Sequence, residues 1–461
     1  MKKVTRRSYS ILLLALATAI LMGIFLTRWA TTGSRWVAFP TNRNVFVDGQ
    51  IGIGRVYDRN GTILFDGDAA AGTVRFHDDP TVRRATFHAL GDRRGSVATG
   101  ALRVYAYRLI GYNLLDGVYA IGGPENAGGG RGHPVHLTID AEVSVAAYRA
   151  LDGRRGAVVV LNYQTGEILA AVSTPSYDPL NPPTITADDP AFEGVYLNRV
   201  FSSSFVPGSV FKAVTSAAAL DTFADAASRT YHCNGVLYVG GGRVTCLGTH
   251  GTINMDQAMG HSCNIYFAQL ALDLGGPRML QYTRAFGLTT PHDLEGISVA
   301  AGNFAAAAGD TPALAWSGVG QSENLINPLS LARFMGAVAR GGTPVEPRMR
   351  SDGDGIFAAL LPSEPTAGAQ MMPPSVANQL GIIMRSSVAN YYGDSRFPGL
   401  RLAAKTGTAE VGQGRTPHAW FGGFIEDADN PLAFVVVVEN GGGGLAVAGA
   451  VANTVLQVAT R

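Results

Sequence analysis

Ser209 and Lys212 stand three residues apart directly after Pro207-Gly208, where an apolar helical pattern begins. On a helix that spacing puts both side chains on one face, within reach of each other. A serine hydroxyl is a weak nucleophile until a base takes its proton, and a lysine can do so when a desolvated, positive neighbourhood makes its neutral form accessible. Ser209 near a first turn also faces unpaired backbone N–H groups, one of which can stabilise an oxyanion. A second element, Ser262-Cys263-Asn264, lies in another helical stretch. Ser262 can relay a proton to and from Lys212, and Asn264 can hydrogen-bond that lysine or a substrate amide. The third element is Lys405-Thr406-Gly407-Thr408, at the head of a strand, where alternation places Lys405 and Gly407 on one face and the two threonines on the other. Lys405 supplies positive potential, the threonine hydroxyls can hold a carboxylate, and Gly407 lets a peptide backbone approach closely. The Thr408 N–H can join that of Ser209 as a two-donor oxyanion hole. Taken singly, these are an N-cap serine, a polar helix cap and a strand-edge turn; together they describe acyl transfer through a serine.

The elements that must position them follow from the hydrophobic pattern. Residues 156–174, GAVVVLNYQTGEILAAVST, read as two apolar strands joined by a polar turn at Tyr163-Gln164-Thr165-Gly166. Near the other end, RLAAKTGTAE, HAWFGGFIE and PLAFVVVVEN are three more strands, followed by a small-residue helix. Strands from both ends with helices between them, including VFKAVTSAAALDTF and INMDQAMGHSCNIYFAQLALDL, predict an α+β (α/β) domain: one antiparallel sheet flanked by helices. Upstream, GIGRVYDRNGTIL is a strand, an Asn60-Gly61 turn and a strand, opening a small mixed module. The glycine-dense run GGPENAGGGRGHP, 122 to 134, marks the boundary between the two.

At the N-terminus, Lys2, Lys3, Arg6 and Arg7 precede an uncharged stretch, Ser10 to Thr27, long enough to cross roughly 30 Å of hydrocarbon. The basic prefix predicts a cytoplasmic N-terminus and an exterior remainder; the Arg28-Trp29 flank reads as a retained anchor rather than a cleaved signal. Net charge is +1, with no basic stripe, which sets nucleic acid aside. Cys233 and Cys246 flank a turn-rich segment, NGVLYVGGGRVT, that can fold as a hairpin and bring them together as a disulfide. Cys263 reads as inert, and His261, two residues away, points elsewhere on a helix. No His/Cys/Asp set shows metal-ligand spacing, so no metal and no cofactor are expected.

The order S-x-x-K, S-x-N, K-T-G, on a helix start, a helix and a terminal strand, matches penicillin-binding proteins and class A β-lactamases. With GRVYDRNGTIL, VHLTIDAEV, NRVFSSSFVPGSVFK, SCNIYFAQLA, NLINPLSLARFMGAVARGG, KTGTAE and HAWFGGF, the chain resembles a class B penicillin-binding protein, a monofunctional transpeptidase, over nearly its whole length. The small gram-positive types resemble it best. That resemblance implies a serine β-lactamase/D,D-peptidase-like fold divided as cytoplasmic tail 1–9, anchor 10–27, non-catalytic pedestal 28–132 and transpeptidase domain 133–461. It implies that Ser209 is acylated by a stem peptide ending in D-alanyl-D-alanine, with Lys212 as base and Ser262 as relay. Asn264 would contact the substrate amide, and Lys405, Thr406, Gly407 and Thr408 would form the strand that holds its carboxylate. Asn324 to Pro328 would be structural. The implied partners are peptidoglycan stem peptides, β-lactams, the cytoplasmic membrane and a membrane glycan polymerase. The pedestal is short for division and elongation members and lacks the bulk of a glycosyltransferase. Rival readings are a D,D-carboxypeptidase or β-lactamase, in which water replaces the amine, a β-lactam sensor, and an inactive scaffold.

Overall fold

The computed structural model describes residues 2–37, 54–67, 75–109, 134–186, 189–304, 310–351, 365–412 and 414–461; the glycine-rich boundary, but for its last residue, lies outside them. Lys2–Val37 is one continuous helix. Within it Ser8–Arg28, 21 residues of mean hydropathy 2.4, is unburied and is long and apolar enough to span a membrane.

The Asn60-Gly61 turn joins β1 (Val56–Tyr57) to β2 (Ile63–Asp66), with the Gly61 N–H donating to Asp58 O at 3.2 Å. β3 (Arg75–Phe76) pairs with β2, and β4 (Val135–His136) runs parallel to β1, so the sheet order is β3-β2-β1-β4. Val135–His136, at the head of VHLTIDAEV, thus completes this N-terminal sheet.

The expected central sheet is present. β5 (Gly156–Asn162) and β6 (Ile168–Thr174) form the N-terminal hairpin. After it come three small ribbons: β7 (Tyr231–Cys233) with β10 (Gly251–Ile253), β8 (Val236–Val239) with β9 (Gly242–Thr245), and β11 (His292–Leu294) with β12 (Ile297–Val299). Then β13 (Leu402–Ala409), β14 (His418–Ile425) and β15 (Leu432–Val438) complete an all-antiparallel sheet in the order β13-β14-β15-β5-β6. Runs such as Val435–Val438 do not alternate with polar residues because both faces are covered. Val158, Val160, Val436 and Val438 pack with Leu151, Val455 and Leu456 of the terminal helices. Val159, Leu161, Val435 and Val437 pack with the central helices. Each such side chain contributes roughly 1.5–3 kcal/mol when fully buried.

One expectation fails. The stretch INMDQAMGHSCNIYFAQLALDL is two helices, Met255–Gly260 and Asn264–Leu274. The first closes with the Ser262 N–H on Met259 O and the Cys263 N–H on Ala258 O, and Ser262 takes the left-handed position, φ 54°, that usually falls to glycine. The second helix is capped by the Cys263 sulfur, which accepts from the Tyr266 N–H.

The N-terminal sheet and helices are fastened to the segment after β6 by a buried pair. Arg83 Nε and Nη2 each donate to an Asp178 carboxylate oxygen at 2.6 Å, and Nη1 donates to the carbonyls of His77 and Asp78. The Arg83 guanidinium holds the Asp178 carboxyl at about 2. Removing one partner strands a buried charge, so Arg83→Ala is expected to cost about 3–5 kcal/mol in denaturant unfolding. The carboxyl's value is depressed, so the pair contributes fully above about pH 4, its unfolded value, and that contribution is lost as pH falls through about 2. A variant as stable as the parent would show that these two parts of the fold hold together without this pair.

Candidate active site

Ser209 sits in a single 3-10 turn, Gly208–Phe211, from which the helix Lys212–Thr222 continues. The turn is held from three sides: the Gly208 N–H donates to Gly320 O at 2.8 Å, the Trp420 indole donates to Val206 O at 3.0 Å, and Phe205 bridges Ile326. Gly208 has φ 55°, and a Cβ there would lie 2.7 Å from Thr408 O, so the turn and the edge strand β13 touch backbone to backbone. At Gly407 a Cβ would lie 2.9 Å from Pro207 O. The close backbone approach expected at that glycine is therefore made first by the protein's own Ser209 turn. This contact brings the Ser209 and Thr408 segments together, as a two-donor oxyanion hole needs.

Lys212 is fully buried. Its Nζ donates to Ser262 O at 2.6 Å, Ser262 Oγ at 3.1 Å and Asn264 Oδ1 at 2.7 Å, and lies 5.6 Å from the Phe267 ring centroid. Lys405, also fully buried, donates to the same Ser262 Oγ at 3.1 Å, to Tyr392 Oη at 3.2 Å and to Thr406 O at 3.1 Å. One hydroxyl therefore bridges two lysines, with no carboxylate hydrogen-bonded to it among the described residues. Burial, and then the Lys405 charge, hold Lys212 well below the usual lysine range; burial holds Lys405 at about 7. The half-buried Ser209 makes no side-chain hydrogen bond among the described residues, so its link to Lys212 awaits a substrate.

Asn264 is more occupied than expected. Its Oδ1 accepts from Lys212 and its Nδ2 donates to Thr245 O at 2.9 Å, so both ends of the amide hold the lysine in place. Thr408 is exposed, Thr406 half-buried, and Lys405 and Gly407 buried, as strand alternation requires. Asn324 is buried and donates to Ser317 O, while Asn327 caps the helix Pro328–Ala339, both structural as expected.

Tyr392, whose hydroxyl holds Lys405, went unread in the sequence because it lies in a separate helical turn, with no motif around it. The cysteines also depart from expectation. The segment between Cys233 and Cys246 does form the β8/β9 hairpin, yet all three cysteines are free thiols and the expected Cys233–Cys246 bond is not made. Instead Cys233, Cys246, His250 and Cys263 converge, a set that no local spacing announced.

A sheet of this order thus carries a buried lysine pair beside a serine turn. The penicillin binding protein transpeptidase domain matches residues 156–457, and the chain belongs to that family. It is 33% identical over 344 residues to the peptidoglycan D,D-transpeptidase PbpA of Mycolicibacterium smegmatis, covering 69% of this chain and 70% of that one. Against the Mycobacterium tuberculosis protein of the same name it is 30% identical, covering 96% and 95%. The fold superposes on penicillin-binding protein A from M. tuberculosis in its ceftriaxone acyl-enzyme complex, TM-score 0.78, 26% identical, covering 90% of this chain and 99% of that one. The penicillin G acyl-enzyme complex matches with TM-score 0.75 at 27% identity, covering 89% and 100%.

Proposed function

We propose that this protein is a membrane-anchored peptidoglycan D,D-transpeptidase that forms peptide cross-links through a Ser209 acyl-enzyme and is inhibited by β-lactams that acylate the same serine. The observation that carries the residue roles is Ser262 Oγ at 3.1 Å from both Lys212 Nζ and Lys405 Nζ. Lys212, whose neutral form burial and the Lys405 charge make more accessible, takes the Ser209 proton in that form as the hydroxyl attacks the penultimate carbonyl of a D-alanyl-D-alanine stem. The Ser209 and Thr408 N–H groups receive the developing oxyanion, and D-alanine leaves with a proton returned through Lys212 and Ser262. Lys405 and the two threonine hydroxyls hold the terminal carboxylate. An acceptor amine then enters, loses its proton along the same path, and frees the serine. A β-lactam stops the cycle because its opened ring stays in the place the acceptor needs.

In this reading the helix at 10–27 is the anchor, with residues 1–9 cytoplasmic, residues 28–132 the pedestal and residues 133–461 the transpeptidase domain outside. A membrane glycan polymerase is the expected partner, and residues 10–66 are its proposed contact. Exchanging the anchor for an unrelated one is expected to abolish co-purification of that partner; unchanged association would remove the contact from this segment.

The test of function is product analysis with the full-length protein in detergent, given a peptidoglycan strand with D-alanyl-D-alanine stems. Free D-alanine together with cross-linked stems is the expected result. D-alanine with trimmed stems and no cross-link would make it a carboxypeptidase instead.

A further inference from the structure

The four side chains Cys233, Cys246, His250 and Cys263 come from four different places: the end of β7, the residue after β9, the loop before β10 and the cap of the helix Asn264–Leu274. Their ligand atoms all lie within 4.8 Å of one another. Cys246 Sγ is 3.8 Å from Cys263 Sγ and 3.6 Å from His250 Nδ1, and Cys233 Sγ is 3.4 Å from the same nitrogen. A tetrahedral zinc ion with bonds of about 2.3 Å to sulfur and about 2.0 Å to nitrogen sets sulfur–sulfur edges of about 3.8 Å and sulfur–nitrogen edges of about 3.5 Å. Three of the six edges, one sulfur–sulfur and two sulfur–nitrogen, match that tetrahedron, and the other three lie within 4.8 Å.

We propose that Cys233, Cys246, His250 and Cys263 form a closed structural zinc site that fastens the turn carrying Ser262 and Asn264. Three thiolates and one imidazole are the ligand chemistry of a borderline-soft divalent ion, and four protein ligands leave no open position for substrate. Two sulfurs already accept backbone N–H groups, Cys246 from Asn264 at 3.3 Å and Cys263 from Tyr266 at 3.5 Å, the kind of surrounding bond that steadies a thiolate ligand. Cys233 Sγ faces Gly248 O at 3.5 Å, a contact that a thiol keeps and a thiolate gives up on binding metal. Zinc uptake releases the thiol protons to solvent, with no redox change.

The consequence for the active site follows from connectivity. Cys263 separates Ser262 from Asn264, Thr245 O holds the Asn264 amide, and the next residue, Cys246, is a ligand. Ser262 is held in a left-handed conformation that a serine rarely adopts. A metal clamp on both flanks keeps its hydroxyl between the two lysines. The four residues are positioning residues, acting through Ser262 and Asn264.

The test uses the full-length protein, purified in detergent without a metal-affinity tag. Elemental analysis is expected to find one zinc per chain. Cobalt(II) in its place is expected to give the intense visible bands of a tetrahedral ion and thiolate-to-cobalt charge transfer, both lost in Cys246→Ser and His250→Ala. Stripping zinc with a chelator is expected to slow acylation by a fluorescent penicillin about tenfold or more, restored on adding zinc. Folded wild type that takes up neither zinc nor cobalt, or two of its thiols found in a disulfide, would overturn the site. Metal bound but acylation unchanged on stripping would overturn the positioning role. The cobalt spectrum of wild type decides the site even if the variants do not fold.

Discussion

Ser209→Ala is expected to give no stable adduct with a fluorescent penicillin by intact mass, with acylation falling by about 10⁴-fold or more, the scale on which serine acyl-transfer enzymes lose rate with their nucleophile. The same variant should unfold within about 0.5 kcal/mol of wild type, because the half-buried hydroxyl makes no side-chain hydrogen bond among the described residues. This combination separates chemistry from folding. An adduct that persists in the variant would move the nucleophile elsewhere, and Ser262, the other serine within reach of Lys212, would be the first place to look.

The second large effect is carried by the lysine pair. Lys212→Met is expected to slow penicillin acylation about 10²- to 10⁴-fold, the contribution of a positioned general base. Its more diagnostic form is the pH profile. An ammonium whose proton is held below the usual lysine range becomes a base at lower pH, so wild-type acylation should rise with pH through a midpoint well below the usual lysine range and then level off. Because Lys212 and Lys405 share Ser262 Oγ, that midpoint belongs to the pair. Lys405→Met removes the second cause of the Lys212 depression and leaves the first, burial, in place. Its midpoint should therefore move up, though short of an exposed lysine, while the rate falls through loss of carboxylate binding. A midpoint that stays or moves down would show that the two lysines do not titrate together, and the base would have to be sought outside the pair.

The proposed zinc clamp and the depressed lysine pair meet at one residue, Ser262. Its hydroxyl works only where both cations reach it, and its backbone stays there only if something resists the left-handed conformation. Much of the architecture around the active centre is backbone contact of this kind. The Gly208 turn lies against Thr408, and the edge strand lies against Pro207. Substitutions at these glycines would therefore act on the oxyanion geometry before they act on the core.

The sequence by itself determined what is local. The three-residue spacing of Ser209 and Lys212, the alternation along β13, the hairpin at Tyr163–Gly166 and the apolar helix near the N-terminus each follow from periodicities that a few consecutive residues carry. The five sheet strands were legible for the same reason, since long apolar runs bounded by turn residues have few other places to go. What only the tertiary structure decided is how separate segments meet. The break at Ser262 is invisible to a helical pattern that runs on either side of it. Tyr392 reaches Lys405 from another element, and Asn264 spends both ends of its amide within the protein. The cysteine and histidine set spans two ribbons and a helix cap, and its one short spacing, Cys246 to His250, leaves Cys233 and Cys263 to be brought in by the fold. A side chain's pKa, partner and direction depend on atoms brought together by packing, and packing sums over the whole chain rather than over a window of it.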